Sequence, residues 1–215
     1  MSIQKCAGVS AMLFLATVTQ AWAQQAGGLE RPTEWNVSFV NGYFTGGTWS
    51  TTQLAGERVK VETDGGWLVG LRFGSEEEYL GWEAMAAGVF MNMDLKADEA
   101  LFDLQPSLRS DDDASLFLAA LNLLWYPAGN DMGDGRMRPF LTVGPGLAHF
   151  TSDFEEVDGE TMFDWNVGGG IKFLLGDEGN PALRFDYRFY QMFGQGELNS
   201  NIYRQEISVG IGIRF

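Results

Sequence analysis

The sequence predicts an all-β fold, an eight-stranded antiparallel transmembrane β-barrel with an up-and-down meander. Three observations support this prediction: eight segments alternate apolar and polar residues, an export leader precedes them, and their second face is rich in glycine and alanine. Alternation alone also fits a soluble β-sandwich, whose second face would expose Lys, Thr, Glu and Ser to water. The small second face instead indicates a narrow interior that its own side chains fill.

The composition excludes several classes of protein. The 215 residues hold 14 Lys and Arg against 29 Asp and Glu, a formal charge of −15, which argues against a partner held by nucleic-acid phosphates. With 45% hydrophobic residues the chain is too apolar to be disordered. A single cysteine forms no internal disulfide, and a single histidine leaves little for a metal site. We expect no cofactor and no bound metal.

The N-terminus predicts export. Lys5 precedes an apolar stretch that is too short to span a bilayer as a helix, and Ala21-Trp22-Ala23 then places small residues where signal peptidase requires them. We expect cleavage between Ala23 and Gln24. Residues 1–23 are then the signal peptide, 24–33 an N-terminal periplasmic segment, and 34–215 the barrel domain.

The first four predicted strands each set large apolar residues on one face. They span 35–43, with Trp35, Val37, Phe39 and Tyr43 outward; 67–73, with Trp67, Val69, Leu71 and Phe73; 79–91, with Leu80, Trp82, Ala84, Ala86 and Phe90; and 115–126, with Phe117, Ala119, Leu121, Leu123 and Trp125.

The last four predicted strands repeat this pattern, although Gly144-Pro145-Gly146 blurs the parity of the fifth. They span 140–150, with Leu141, Val143 and Leu147 outward; 163–174, with Phe163, Trp165, Val167, Ile171 and Phe173; 183–193, with Leu183, Phe185, Tyr187 and Phe189; and 205–215, with Ile207, Val209, Ile211, Ile213 and Phe215.

Charged residues on the predicted inner face nearly balance, five bases against four acids. They are Arg72, Glu83, Asp164, Lys172, Arg184, Asp186, Arg188, Glu206 and Arg214. Buried charges are tolerated when they can pair, so we expect a paired polar core. An ion path along Arg184, Asp186 and Arg188 is the alternative, although eight strands enclose a lumen only about wide enough for their own side chains.

The connections predict the orientation. Residues 45–66, 92–114, 151–162 and 194–204 are expected as outer loops and the connections between them as turns, with both termini in the periplasm. Two outer loops, 92–114 and 151–162, are acidic. They are interpreted as a solvated surface that could meet an extracellular ligand, with a divalent-cation site as the alternative.

Several motifs resemble a known family. The segments Pro139-Phe140-Leu141-Thr142-Val143-Gly144, Asn166 to Phe173, Leu183 to Phe189 and Ile211-Gly212-Ile213-Arg214-Phe215 look like those of small outer-membrane β-barrels of the OmpA-type, OmpX-like and opacity proteins. The resemblance implies a monomer integral to the bacterial outer membrane, surrounded by its lipids and lipopolysaccharide. It also implies that Phe215 is the signal read by the barrel assembly machinery.

The expected function is non-enzymatic, in envelope integrity or surface adhesion and binding. A narrow channel for small solutes is one alternative. The other is a lipid A deacylase or acyltransferase that uses His149 with Ser152 and Asp153. The stretch His149-Phe150-Thr151-Ser152 departs from the deacylase-like His-x-Ser-Asn pattern, and sequence adjacency does not bring such groups together in space.

Overall fold

The protein is described by a computed structural model over residues 34–54, 57–96, 111–129, 136–152, 159–175, 181–194 and 201–215. Residues 1–33 lie outside this part. The predicted signal peptide, its cleavage site between Ala23 and Gln24, and the N-terminal periplasmic segment therefore remain predictions.

Ten β-strands account for most of the described residues. They are β1 Glu34–Phe44, β2 Gly47–Leu54, β3 Glu57–Thr63, β4 Gly66–Glu76, β5 Leu80–Lys96, β6 Asp111–Trp125, β7 Met137–Ser152, β8 Glu160–Leu174, β9 Pro181–Phe193 and β10 Ile202–Arg214.

Eight of these strands close into an antiparallel barrel. The ring runs β1-β4-β5-β6-β7-β8-β9-β10, and β10 returns to pair with β1 from Asn36↔Arg214 to Phe44↔Glu206. The predicted fold class and meander are confirmed. In a ring of eight, strands four places apart face each other across the lumen: β1 faces β7, β4 faces β8, and β5 faces β9.

The chain between β1 and β4 is a β-hairpin, whereas the sequence predicted a loop there. Its strands β2 and β3 pair from Gly47↔Thr63 to Leu54↔Glu57, and β3 also pairs with β5 from Lys60↔Lys96 to Thr63↔Met93. Val59 and Val61 alternate with charged residues in β3, a short period-two signal in a polar segment. The partner strand is the extension of β5, which local sequence does not reveal.

The two ends of the barrel differ. At one end, which we call the terminal end, the backbones of Trp35 and Phe215 exchange hydrogen bonds of 3.0 and 2.9 Å across the seam between β1 and β10. At the other, the loop end, the hairpin of β2 and β3 continues the sheet beyond the barrel wall. The hairpin therefore makes the wall taller on one side of the loop end.

The two faces of the wall differ in chemistry. Outward positions carry large apolar side chains, among them Trp67, Leu71, Phe117, Val167 and Ile211. No helix among the described residues is long and apolar enough to cross a membrane. The outward face is the apolar band that a lipid-embedded barrel presents.

Candidate functional site: the filled lumen

The middle of the lumen holds a buried ionic network, the central ion set, made of Arg72, Glu83, Arg184, Asp186, Arg188 and Glu206. Arg184 donates two hydrogen bonds to Asp186, from Nε at 2.6 Å and from Nη2 at 2.8 Å. Its Nη1 contacts Glu83. Three bases meet three acids, all at most 4% exposed. The network is electrically neutral, and pairing of this kind is what allows charges to remain buried.

Contacts within the central ion set cross the whole lumen. Arg188 Nη2 on β9 lies 2.7 Å from Glu83 Oε1 on β5, the strand directly opposite. Arg72 on β4 lies 2.6 Å from Asp186 on β9 and 2.5 Å from Glu206 on β10. The guanidinium groups therefore occupy the middle of the barrel instead of lining its wall.

Two neutral hydroxyl groups also donate hydrogen bonds to the carboxylate of Glu206. Ser208 Oγ donates to Oε1 and Tyr190 Oη donates to Oε2, each at 2.5 Å. With Arg72 also bound to Oε1, this buried carboxylate has a partner on both oxygens. Partners on both oxygens spare this carboxylate the cost of a buried unpaired charge.

A second ionic network, which we call the terminal-end ion set, lies at the terminal end of the lumen. It consists of Glu34, Glu76, Arg138, Lys172 and Arg214. Glu34 Oε2 accepts from Arg138 Nη1 at 3.0 Å and from Arg214 Nη1 at 2.7 Å. Lys172 on β8 contacts Glu76 on the opposite strand β4, and Arg138 on β7 faces Glu34 on β1 in the same way. The lumen is thus bridged at a second level.

Two neutral side chains support the terminal-end ion set. Asn36 Nδ2 donates to Glu76 Oε1 at 2.8 Å, and Lys172 Nζ donates to Tyr126 Oη at 3.0 Å. The Tyr126 hydroxyl is an uncharged group, so it supports the lysine without adding a charge to the network.

A small polar group stands on the β6, β7 and β8 side of the lumen. Asp164 and Asn122 are 1% exposed and Thr142 2%, and within the described ranges Asp164 makes no ion pair. A β-carbon at Gly146 would lie 2.6 Å from Asp164 Oδ2, and one at Gly144 would lie 2.5 Å from Asn122 Oδ1. The two glycines of Gly144-Pro145-Gly146 therefore leave the space that these polar side chains fill.

Toward the loop end the lumen is apolar. Its buried side chains form one cluster: Val40, Phe44, Trp49, Leu68, Met85, Ala87, Val89, Met91, Ala114, Leu116, Leu118, Ala148, Phe150, Met162, Tyr190, Met192 and Ile202. Four of these are methionines, whose flexible thioethers fill irregular gaps.

Trp49 closes the apolar part of the lumen. This residue of β2 is 0% exposed, and its ring centroid lies 4.7 Å from that of Phe150 on β7. Its Nε1 donates to Thr63 Oγ1 at 2.8 Å, and the Arg204 guanidinium stands 4.6 Å from the ring centroid. The hairpin is thereby anchored in the barrel mouth.

The structure places the nine charged residues singled out from the sequence as follows. Eight are buried, and Arg214 keeps 15% of its side chain exposed at the terminal end. The two ion sets bring together eight of the nine, all except Asp164.

Sequence reasoning missed four charged residues of the lumen: Glu34, Glu76, Arg138 and Arg204. Glu76 and Arg138 belong to strands that extend past the predicted segments into the expected turns, and Arg204 was assigned to an outer loop. Parity was the signal that could have found them, because Glu76 continues the inward series of Arg72, and Arg204 that of Glu206.

His149 stands on the outer wall of β7. Its Nδ1 lies 2.8 Å from Thr161 Oγ1 on β8, so a hydroxyl partners this nitrogen. The Ser152 side chain and Asp153 lie outside the described part of the chain, so the predicted Ser-His-acid combination remains a hypothesis.

The described residues contain no arrangement suited to a metal ion. Between residue 34 and the C-terminus, apart from the undescribed gaps, no three His, Cys, Asp or Glu residues are placed to hold one. Most of the acidic loops 92–114 and 151–162 falls in those gaps.

Comparison with known proteins agrees with this architecture. The family described as "Outer membrane protein beta-barrel domain" matches residues 9–215. No curated protein matches the sequence.

Three solved structures show the same fold. Neisserial surface protein A has a TM-score of 0.57 at 12% identity, over 86% of this chain and 100% of that chain. OprG from Pseudomonas aeruginosa has a TM-score of 0.58 at 16% identity, over 86% of this chain and 97% of that chain. A major outer membrane protein from Thermus thermophilus has a TM-score of 0.56 at 11% identity, over 86% of this chain and 100% of that chain.

Proposed function

The chain belongs to the outer membrane protein β-barrel domain family, and we propose that it is a non-conducting, non-enzymatic barrel that displays its loops at the cell surface. Its task is envelope integrity or the binding of an extracellular ligand. The observation that carries this proposal is the filled lumen. A protein whose interior is occupied has only its wall and its loops with which to act.

The charges that cross the lumen are the strongest support for a closed barrel. Arg188 to Glu83, Lys172 to Glu76 and Arg138 to Glu34 each join opposite strands. An ion entering the barrel would have to separate these pairs, and separating buried pairs leaves uncompensated charge in a low-dielectric interior.

The loops are where ligand binding is proposed. The connections 92–114 and 151–162 are acidic, and the second has five acids, Asp153, Glu155, Glu156, Asp158 and Glu160, with no Lys or Arg. A surface with one sign of charge attracts partners of the other sign. A basic extracellular ligand is therefore the class that these loops suit.

The first experiment measures conductance. The mature chain, refolded in detergent and inserted in a planar bilayer, is expected to give no steady single-channel steps. Glu83→Ala is the comparison, because it removes the acid that joins Arg184 and Arg188. Steady steps from the unmodified protein that Glu83→Ala alters would overturn the proposal.

A second experiment tests the loops in cells. Deletion of residues 97–110, or of 153–158, should reduce binding of labelled polylysine or raise sensitivity to SDS, while the barrel still migrates as a folded band. Deletion of 130–135, in a connection at the terminal end, is the matched control. If both outer deletions behave like this control, the loops do not carry the function.

One observation favours a second candidate, a narrow conduit for small solutes. The loop-end half of the lumen is filled by apolar side chains with Trp49 at its mouth, so a path that opened there would suit an apolar solute. For a conduit, cells with the wild-type barrel should take up an apolar dye faster than cells without it, and Trp49→Ala should increase this uptake beyond that of Trp49→Phe. Equal uptake in all four strains would remove this candidate.

The lipid A enzyme is the remaining alternative and rests on His149. Mass spectrometry of lipid A from cells with and without the protein tests it. The non-enzymatic proposal expects identical acylation. A change of acylation that His149→Ala abolishes would establish the enzyme instead.

A further inference from the structure

Two strands of the outer wall carry a polar strip near the loop end. Five other strands carry large exposed aromatic rings near this end, namely Tyr43, Trp67, Phe90, Phe163 and Tyr203. On β6 the exposed ring nearest the loop end is that of Phe117, and beyond it the outward positions of β6 and β7 hold Ser115, His149 and Thr151. Such polar groups differ from the aromatic side chains that barrels usually place at the lipid interface.

The register places these residues in one row. Phe90 of β5 pairs with Ser115 of β6, and Ser115 pairs with Thr151 of β7. One step further toward the loop end, Asn92 of β5 pairs with Asp113 of β6. All five point outward, because alternate residues of a strand share a face.

Strand geometry puts Ser115, the middle residue of this row, at the level of the lipid headgroups. Trp125 marks the terminal-end interface on β6, and Ser115 lies ten residues from it along the same strand. Ten residues span roughly 33 Å along a strand, or about 25 Å along the membrane normal at a tilt near 40°. This height equals that of the apolar band, roughly 25 Å, so Ser115 stands at the opposite interface.

The row borders a cavity of about 340 Å³, which we call the wall groove; Phe90, Asn92, Asp113, Ser115 and Thr151 are among its lining residues. The Ser115 and Thr151 hydroxyl oxygens lie 2.7 Å apart. The Phe90 ring is 63% exposed. A volume of this order suits a small ligand.

The groups in the wall groove match a sugar. The carboxylate of Asp113 accepts hydrogen bonds, the amide of Asn92 and the two hydroxyls both donate and accept, and Phe90 offers an apolar face. None of the described residues that line the groove is a lysine or an arginine, the residues that bind phosphate. The chemistry thus favours hydroxyl and amide groups of a sugar over its phosphates.

We propose that the wall groove binds the sugar headgroup of a glycolipid in the outer leaflet, between β5, β6 and β7. The sugar packs on Phe90, and Asn92 and Asp113 hold its hydroxyls from the loop side. Ser115 and Thr151 provide the floor. The proposal depends on the outer-membrane location and not on a closed lumen.

The test uses the full mature chain in phosphatidylcholine nanodiscs, with glucosyl diacylglycerol, a glycolipid without phosphate, as the probe and native mass spectrometry as the readout. EDTA is present throughout, so that binding through bridging divalent cations does not contribute. Asn92→Ala with Asp113→Ala, and separately Ser115→Ala with Thr151→Ala, should each weaken binding about tenfold or more, since each pair loses at least two hydrogen bonds. Gln191→Ala, near the loop end of β9, is the matched control.

A ring substitution separates packing from folding. Phe90→Trp should retain binding and Phe90→Ala should lose it, with both variants keeping the mobility of the folded band on unboiled gels. Three results would overturn the proposal: unchanged binding in both alanine pairs, loss of wild-type binding in EDTA, or equal competition by phosphatidylglycerol, which carries phosphate but no sugar ring.

Discussion

Arg188 and Glu83 meet in the middle of the lumen at 2.7 Å, although they come from strands on opposite sides of the barrel. Both side chains are 0% exposed. Glu83 also contacts Arg184 from the same opposite strand. One carboxylate therefore compensates two buried guanidinium groups, and its loss leaves both without this partner.

Glu83→Ala should lower the free energy of unfolding by about 3–5 kcal/mol, because it leaves buried cations without their partner. Urea titration in phospholipid vesicles, followed by gel mobility, measures this. Glu77→Ala, an exposed glutamate beyond the end of β4, is the control and should change stability little. Equal effects of the two substitutions would mean that the central ion set does not hold the barrel together.

Val209→Arg should impair insertion. Val209 lies outward on β10, 42% exposed, between Asn41 of β1 and Phe185 of β9. A cation on the lipid face near the bilayer centre costs about 2–4 kcal/mol. The yield of folded protein in lipid vesicles reports it, and Val209→Ala is the control. Normal assembly of Val209→Arg would contradict the assignment of the outer face.

Gly146→Ala should destabilise the barrel by about 1–3 kcal/mol, as overpacking does. The new β-carbon would lie 2.6 Å from a carboxylate oxygen of Asp164 and 2.9 Å from the carbonyl of Ala119. Adding Asp164→Ala should recover part of the loss, which a double-mutant cycle quantifies. Strictly additive effects would show that the two positions do not compete for space.

Deletion of Phe215 should reduce the amount of protein that reaches the outer membrane. Its side chain is 70% exposed on the closed barrel, so its removal takes away little side-chain packing. Immunoblots of fractionated cells measure the yield, with Phe215→Tyr as the aromatic control. An undiminished yield on deletion would remove the assembly role proposed for this residue.

The period-two pattern predicted the eight barrel strands because lipid demands apolar residues at alternate positions of every strand. The same rule says nothing about residues that no lipid touches. Trp49 shows this limit: it lies in a polar segment, yet its ring fills the barrel mouth because Phe150 and Arg204 come to it from distant strands.

The alternation of residues along each strand predicted which charged side chains point inward, but it did not predict which of them pair with each other. Arg138 and Glu34 are 104 residues apart, and only closure of the ring brings them to 3.0 Å. Strand ends limited the prediction further, since Glu76 and Arg138 fall where the apolar alternation fades. The wall groove depends on three strands in register and had no local signal.

The opposed ion pairs also constrain how the barrel is made. An open sheet of the first five or six barrel strands would already contain Glu83 and Glu76. Arg184 and Arg188, which lie on β9, would not yet have joined this sheet. Such an intermediate would leave these carboxylates unpaired, facing hydrocarbon or an unfilled lumen, at a cost of several kcal/mol per charge. Partially closed forms are therefore disfavoured. The pairing of β1 with β10 and the neutralisation of the interior become a single cooperative event in assembly, and loss of one seam should melt the whole barrel.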